Sequence, residues 1–338
     1  MKVAIFEGKE QIIIKDGLKP EIKSDEVLIQ VKKVGICGSD IGSYETGGPY
    51  FAGKIIGHEF SGDIVELGED VKKLKVGMRV TVNPAIVCHE CYYCLHNQEN
   101  MCKLQNFAYG TTEDGAMREF VNVKAETVHI LPDNVSYEEG ATVEPLSIVI
   151  YAVQQSGFQL GQTAAVIGAG TIGLMVIQVL RNAGANKIYV IEPVESKQKV
   201  AMELGADKVF LPSAWNKITR LTDRLGPHHV FDCVGLSSTF STALSLIRKG
   251  GNITLIGMHS SKIEINNIWL MTTNNISVRG VYGFNHDIFK TAINLYAQKK
   301  IKSEPIITRR ISLKQVPEIF KVLGNPPHDE LKVIVDFE

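Results

Sequence analysis

Between residues 146 and 285 the chain repeats one rhythm, a short and almost continuously apolar run followed by a helical pattern. Strand candidates fall at 163–168, 187–192, 207–211, 229–234, 252–257 and 276–282, and helical patterns at 171–183, 195–204 and 238–249 separate several of them. A strand that is apolar on every residue needs cover on both faces, and strand–helix alternation supplies it. The prediction is an α/β unit, a doubly wound parallel sheet with helices on both sides.

The first strand of this unit, Ala164-Ala165-Val166-Ile167, runs into Gly168-Ala169-Gly170-Thr171-Ile172-Gly173 and then into an apolar helix. A lone G-x-G-x-x-G carries little weight, and an ordinary glycine turn in a βαβ unit is the alternative. Here the motif sits where a dinucleotide site needs it. Gly168 makes the tight turn, Gly170 lets backbone approach a pyrophosphate, and Gly173 lets helix pack on strand. Free N–H groups at the helix start, with Thr171 and Ile172 among them, favour phosphate. The next strand ends at Glu192, placed to accept from ribose hydroxyls and to repel a 2′-phosphate, which favours NAD over NADP. Lys197 adds positive charge nearby and joins the cofactor candidates.

Residues 1–145 read differently. Short β-branched runs such as Glu26–Val31 alternate with glycines, including Gly35, Gly38, Gly42, Gly47, Gly48, Gly53 and Gly57. This reads as a mostly-β unit with long functional loops. With 338 residues, two packed domains are expected. The balance of 36 basic against 37 acidic residues leaves no field to draw a polyanion, so a nucleic-acid partner is not expected. No apolar run reaches the roughly 18 residues of a membrane span, and the opening Met1–Gly8 lacks a signal-peptide pattern. The expectation is a cytoplasmic protein.

Of six cysteines, Cys88, Cys91, Cys94 and Cys102 crowd into fifteen residues, in a lobe at about 86–104. In a reducing compartment such a cluster is more often a metal site than a pair of disulfides. Four thiolates fill a zinc tetrahedron and leave no open position, so the site would be structural. His89 and His96, inside the lobe, are then expected to face solvent. Three scattered segments carry further candidates: Cys37 in Gly35–Asp40, His58 and Glu59 in Gly57–Phe60, and Glu144 in Ala141–Ser147. A lone Cys or His is more often packing than ligand, and spacing cannot join them.

Taken in order, Gly-Ile-Cys-Gly-Ser-Asp, Gly-His-Glu-Phe-Ser-Gly, the four-cysteine lobe, Glu-Pro-Leu-Ser and Gly-Ala-Gly-Thr-Ile-Gly resemble the medium-chain zinc-dependent alcohol dehydrogenases. Within them the chain looks most like the sorbitol and polyol dehydrogenase branch, which includes galactitol-phosphate dehydrogenase. The resemblance runs over essentially the whole chain. It implies a GroES-like catalytic domain over 1–145, a Rossmann NAD-binding domain over 146–285, and a return to the catalytic domain over 286–338.

It also implies two zinc ions per chain. The catalytic one would sit on Cys37 and His58, with Glu59 or Glu144 completing the protein ligands, and would polarise an alcohol oxygen at its open position. By the same resemblance Ser39 relays the substrate proton, Asp40 orients His58, and Phe107 lines the substrate pocket. A turn serine and a capping aspartate are the plain alternatives for Ser39 and Asp40. Tyr44 is a pocket candidate, with core packing as its alternative. Two departures stand out. Gly42 occupies a position where many relatives carry a relay histidine, and Gly283 lies where sorbitol enzymes carry a substrate arginine.

The implied activity is hydride transfer from a secondary alcohol of a polyol or sugar alcohol, phosphorylated or not, to NAD. An aldonate or L-threonine dehydrogenase, and a non-catalytic cofactor-binding protein on the same fold, are the competing readings. A homodimer or homotetramer is expected.

Overall fold

The computed structural model describes residues 1–48, 52–104, 109–259, 262–265, 267–326 and 328–337. The chain divides into two compact units. The first comprises residues 1–147, 284–299 and 307–338, and the second residues 148–283 and 300–306.

Within the first unit the strands Glu26–Gly35 and Glu59–Leu67 form the antiparallel centre of a mixed sheet. The C-terminal strand Lys332–Asp336 pairs antiparallel with the end of Glu26–Gly35, setting Ile334 opposite Gly35. On one side of the same register, Gly35 stands opposite Glu59. Alternation explains the burial: Val27, Ile29, Val31, Ile64, Val121 and Val123 share one core with Phe60, Val316 and Phe320. A smaller sheet orders Gln11–Asp16, Lys2–Gly8 and Lys54–Ile55.

The glycine-rich stretch after Gly35, read from sequence as loop, contains the helix Gly38–Thr46. Capping overrides weak propensity here. The Asp40 carboxylate accepts from the Cys37 N–H at 3.0 Å, and Gly47 closes the far end in the left-handed conformation. Tyr44 anchors the helix by packing edge-on against Phe320.

In the second unit the sheet order is Lys208–Phe210, Lys187–Ile191, Thr163–Ile167, His229–Asp232, Asn252–Leu255, Ser277–Gly280, all neighbours parallel. This is the doubly wound arrangement that the alternation of patterns implies. The order reverses at Thr163–Ile167, the strand that feeds the glycine turn, and such a switch point is where open α/β sheets bind ligands. The helix Thr171–Asn182 buries every residue from Gly173 to Leu180, as a helix pressed onto a sheet should. Among the described residues no helix is long and apolar enough to cross a membrane.

Candidate active site and cofactor site

Cys37, His58 and Glu59 come from segments that the sequence keeps apart, and the sheet of the first unit brings them together. Cys37 caps the helix Gly38–Thr46, and Glu59 opens its strand directly after His58. One candidate ligand atom from each lies within 4.8 Å of the other two. His58 and Glu59 are buried, and Cys37 is half-buried. Gly35 makes the arrangement possible, because a Cβ there would stand 2.2 Å from Glu59 Oε2.

His58 Nδ1 lies 3.4 Å from Asp40 Oδ1, which leaves Nε2 as the nitrogen free for a metal. Burial alone would lower the imidazole pKa, but the neighbouring Asp40 and Cys37 outweigh it and hold it well above the ordinary value. Glu144, second residue of the helix Val143–Gln155, is buried beside this group. Its carboxyl is pushed up to about 7, mainly by burial, with the charge of Glu59 adding and that of His58 opposing. Glu144 is not one of the three close donors. A thiolate, an imidazole and a carboxylate in one buried cluster suit zinc and leave a fourth position open.

A residue absent from the sequence reading completes the cluster. Lys332 is 3% exposed. Its Nζ donates to Glu59 Oε1 at 2.9 Å, to Glu59 Oε2 at 2.6 Å and to the Ile36 carbonyl at 2.9 Å. Burial pulls the ammonium pKa down, but Glu59 more than compensates and the net shift is upward.

The four lobe cysteines meet as their spacing implies. The sulfur–sulfur separations are 3.5 Å for Cys88–Cys102, 3.6 Å for Cys91–Cys94 and 3.8 Å for Cys88–Cys94. A tetrahedron with zinc–sulfur bonds of about 2.3 Å has edges of about 3.8 Å, so the thiols already stand near ligand positions. Backbone N–H groups of Cys94 and Lys103 bring the Cys91 thiol down to about 6, towards the thiolate a metal takes. His89 and His96 are exposed, as expected once sulfur fills the coordination sphere.

In the second unit each glycine of the motif has a distinct steric position. Gly168 adopts φ +89, which disfavours any side chain. A Cβ on Gly173 would lie 1.9 Å from the Gly168 carbonyl, whereas one on Gly170 meets nothing within 4 Å. The turn is thus tight beneath and open above. Glu192 is buried, and its carboxylate accepts from the Ala169 N–H at 2.7 Å and the Val194 N–H at 2.9 Å. Thr171, Ile172 and Lys197 are half-buried.

Other expected site residues divide. Ser39 is exposed two residues past Cys37. Gly42 leaves open space, with nothing within 4 Å of a built Cβ. Tyr44 is only 4% exposed and belongs to the hydrophobic core, so packing rather than a pocket wall is the role its surroundings give it. Phe107 lies outside the described residues.

Comparison with known proteins gives the same arrangement a lineage. The alcohol dehydrogenase GroES-like domain matches residues 23–133, and the zinc-binding dehydrogenase family matches residues 171–298. Sorbitol dehydrogenase of Bacillus subtilis (strain 168) is 30% identical over 99% of this chain and 97% of its own. The chain belongs to the medium-chain zinc-dependent alcohol dehydrogenases. Within this family it falls in the polyol branch. D-arabitol-phosphate dehydrogenase of Enterococcus avium is 34% identical to this dehydrogenase, with 97% and 95% of the two chains covered. The crystal structure of galactitol-1-phosphate dehydrogenase from Escherichia coli superposes with a TM-score of 0.93, at 25% identity, covering 99% of the dehydrogenase and all of that chain.

Proposed function

We propose that the dehydrogenase transfers hydride between a secondary alcohol of a small polyol and NAD, using one zinc at Cys37, His58 and Glu59 and a second at the four-cysteine lobe. The observation that carries this reading is the three-donor group, which assembles thiolate, imidazole and carboxylate from separate segments in a buried site. Zinc supplies Lewis acidity to the substrate oxygen, and NAD accepts the hydride.

The chain's own residues do the rest. Asp40 fixes the His58 ring. Glu144, outside the close donor group and with a carboxyl near neutrality, accepts a hydrogen bond from the water or hydroxyl that takes the open position. Ser39 passes the substrate proton towards solvent, and the empty space at Gly42 gives that proton a water path in place of a histidine. Gly168, Gly170, Thr171, Ile172 and Gly173 cradle the pyrophosphate, and Lys197 adds positive charge near Glu192. A carboxylate offers about four acceptor sites, so Glu192 can still take ribose hydroxyls while bonding the turn.

Two arginines that a charged substrate group could pair with already carry protein contacts. Arg118 is buried and spends its guanidinium on the Gly115 and Asp114 carbonyls and on Asn122, and Arg279 is bonded to Gln155. NADH absorbance, followed with polyols, polyol phosphates, aldonates and threonine before and after chelation, tests the reading. Chelator-sensitive turnover is expected with a polyol or its phosphate. Turnover that survives complete metal removal would sink it.

Cofactor choice is tested at Glu192. Hydrogen bonds to a charged group are worth about 1.5–3 kcal/mol, so Glu192→Ala should raise KM for NAD about tenfold or more and narrow its lead over NADP. Unchanged preference would show that this carboxylate does not read the ribose.

Self-assembly has its own support. The strand Ser277–Gly280 closes one edge of the parallel sheet with all four residues exposed. Ile268, Trp269 and Val278 are exposed nearby in sequence, while Leu270 and Met271 turn to the core. An unprotected edge beside apolar surface favours a second copy of the chain. A Trp269→Ser, Val278→Lys variant should therefore elute at monomer mass where the native protein elutes as a dimer or tetramer. Equal masses would refute this interface. The unbridged, clustered thiols support a reducing, cytoplasmic location, which cell fractionation checks.

A further inference from the structure

Lys332 needs an explanation that packing does not provide. It is a buried cation placed against a site built for another cation. All three ammonium protons are committed there, two to Glu59 and one to the carbonyl of Ile36, the residue before Cys37. The residues bordering the site carry four acidic groups, Cys37, Asp40, Glu59 and Glu144, and the described ion pairs bring Lys332 alone among lysines and arginines to them. Its route to the site is long in sequence and short in space, because Lys332 opens the strand that pairs with Gly35 while Gly35 faces Glu59.

We propose that Lys332 is a positioning residue that holds Glu59 as a deliberately weakened metal ligand and so keeps the zinc electrophilic. The inference rests on the reading of Cys37, His58 and Glu59 as the ligand set. Lone pairs that Glu59 gives to the ammonium are withheld from the metal, and a positive charge in a buried site further raises the ion's pull on the substrate oxygen. The consequence runs against intuition. Removing Lys332 frees Glu59 to donate fully, so the ion is held more tightly and the reaction runs more slowly. A lysine that merely braced the fold would do the reverse, since its loss would loosen the site and release metal.

The experiment measures metal retention in the purified zinc enzyme against increasing dipicolinate, for the native protein, Lys332→Met, Lys332→Gln and Lys332→Arg. Lys332→Gln keeps donors for Glu59 and the Ile36 carbonyl while removing the charge, and serves if the methionine variant does not fold. In both neutral variants, half-removal of the catalytic zinc should need about 10- to 100-fold more chelator, the scale expected when one like charge a few ångström from the ion is removed. Their kcat should fall at least about tenfold. Lys332→Arg should stay near native in both. With cobalt in place of zinc, the visible bands of the neutral variants should shift, and those of Lys332→Arg should not.

In a Glu59→Gln background the charge-removing substitution should lose its effect on retention, because the carboxylate through which Lys332 acts is gone. Zinc released as easily as in the native protein, or more easily, overturns the proposal. So does a full effect of Lys332→Gln in the Glu59→Gln background. Cys37→Ser separates the two levels of inference. If that variant still binds two zinc ions, the ligand set itself is wrong, whatever Lys332 does.

Discussion

Cys37→Ser is expected to lower kcat/KM by about three orders of magnitude or more, roughly 4 kcal/mol of lost barrier reduction, while zinc content falls from two ions per chain to one. A serine hydroxyl does not ionise near neutral pH and is a poor donor to a borderline-soft ion, so His58 and Glu59 would be left as a two-point site. The Lewis-acid contribution, worth several kcal/mol, goes with the metal.

The fold should survive the change. Cys37 is half-buried and does not belong to the core cluster of its unit, and the Asp40 carboxylate caps the helix it precedes through the Cys37 backbone N–H, which serine keeps. The melting temperature should therefore stay within a few degrees of native, about 1 kcal/mol. Metal analysis, steady-state rates and a thermal scan on the same preparation decide the matter. Near-native turnover, or two zinc ions retained, would remove Cys37 from the site.

The two metal sites were legible in the sequence to different degrees, and the reason is contact order. Cys88, Cys91, Cys94 and Cys102 are neighbours along the chain, so spacing alone announces their meeting. The glycine turn and Glu192 are also local, since one βαβ unit places them. Cys37 is joined to His58 and Glu59 only by sheet pairing that spacing cannot reveal, and Glu144 reaches them from a helix, so resemblance to a family had to stand in for it. Lys332 was invisible on both counts. It opens an ordinary-looking strand, and its partner lies 273 residues away in sequence. Tyr44 shows the converse: an aromatic in a segment rich in candidate site residues turned out to anchor a helix against Phe320.

The glycine-rich run after Gly35 was read as loop because propensity counted glycines and could not count caps. Asp40 and Gly47 supply those caps, and together with the core contact of Tyr44 they outweigh the entropy cost of Gly38 and Gly42. A reader of sequence alone sees the cost at each position and not the compensation.

Cys94→Ser should unfold the lobe rather than the enzyme's centre. Cys94 is buried, with its sulfur 3.6 Å from Cys91 and 3.8 Å from Cys88. Burial pushes its thiol up to about 12, so the thiolate is unfavourable here until a dication offsets it. Little else holds the lobe. Its regular structure is a four-residue helix, Tyr92–Leu95, and a single 3-10 turn, Glu99–Met101. Tyr92, Leu95, Met101 and Leu104 are exposed rather than packed. Zinc binding in small sites of this kind is worth on the order of 10 kcal/mol, more than such a segment can recover from packing or short helices.

The expected outcome is one zinc ion per chain, rapid proteolytic cleavage within 86–104, and a melting temperature lower by roughly 10 °C. The Cys37 site draws on different elements, so freshly purified variant should keep its catalytic zinc. A lobe that stays protease-resistant with one zinc lost would mean that packing, not metal, holds those four sulfurs together.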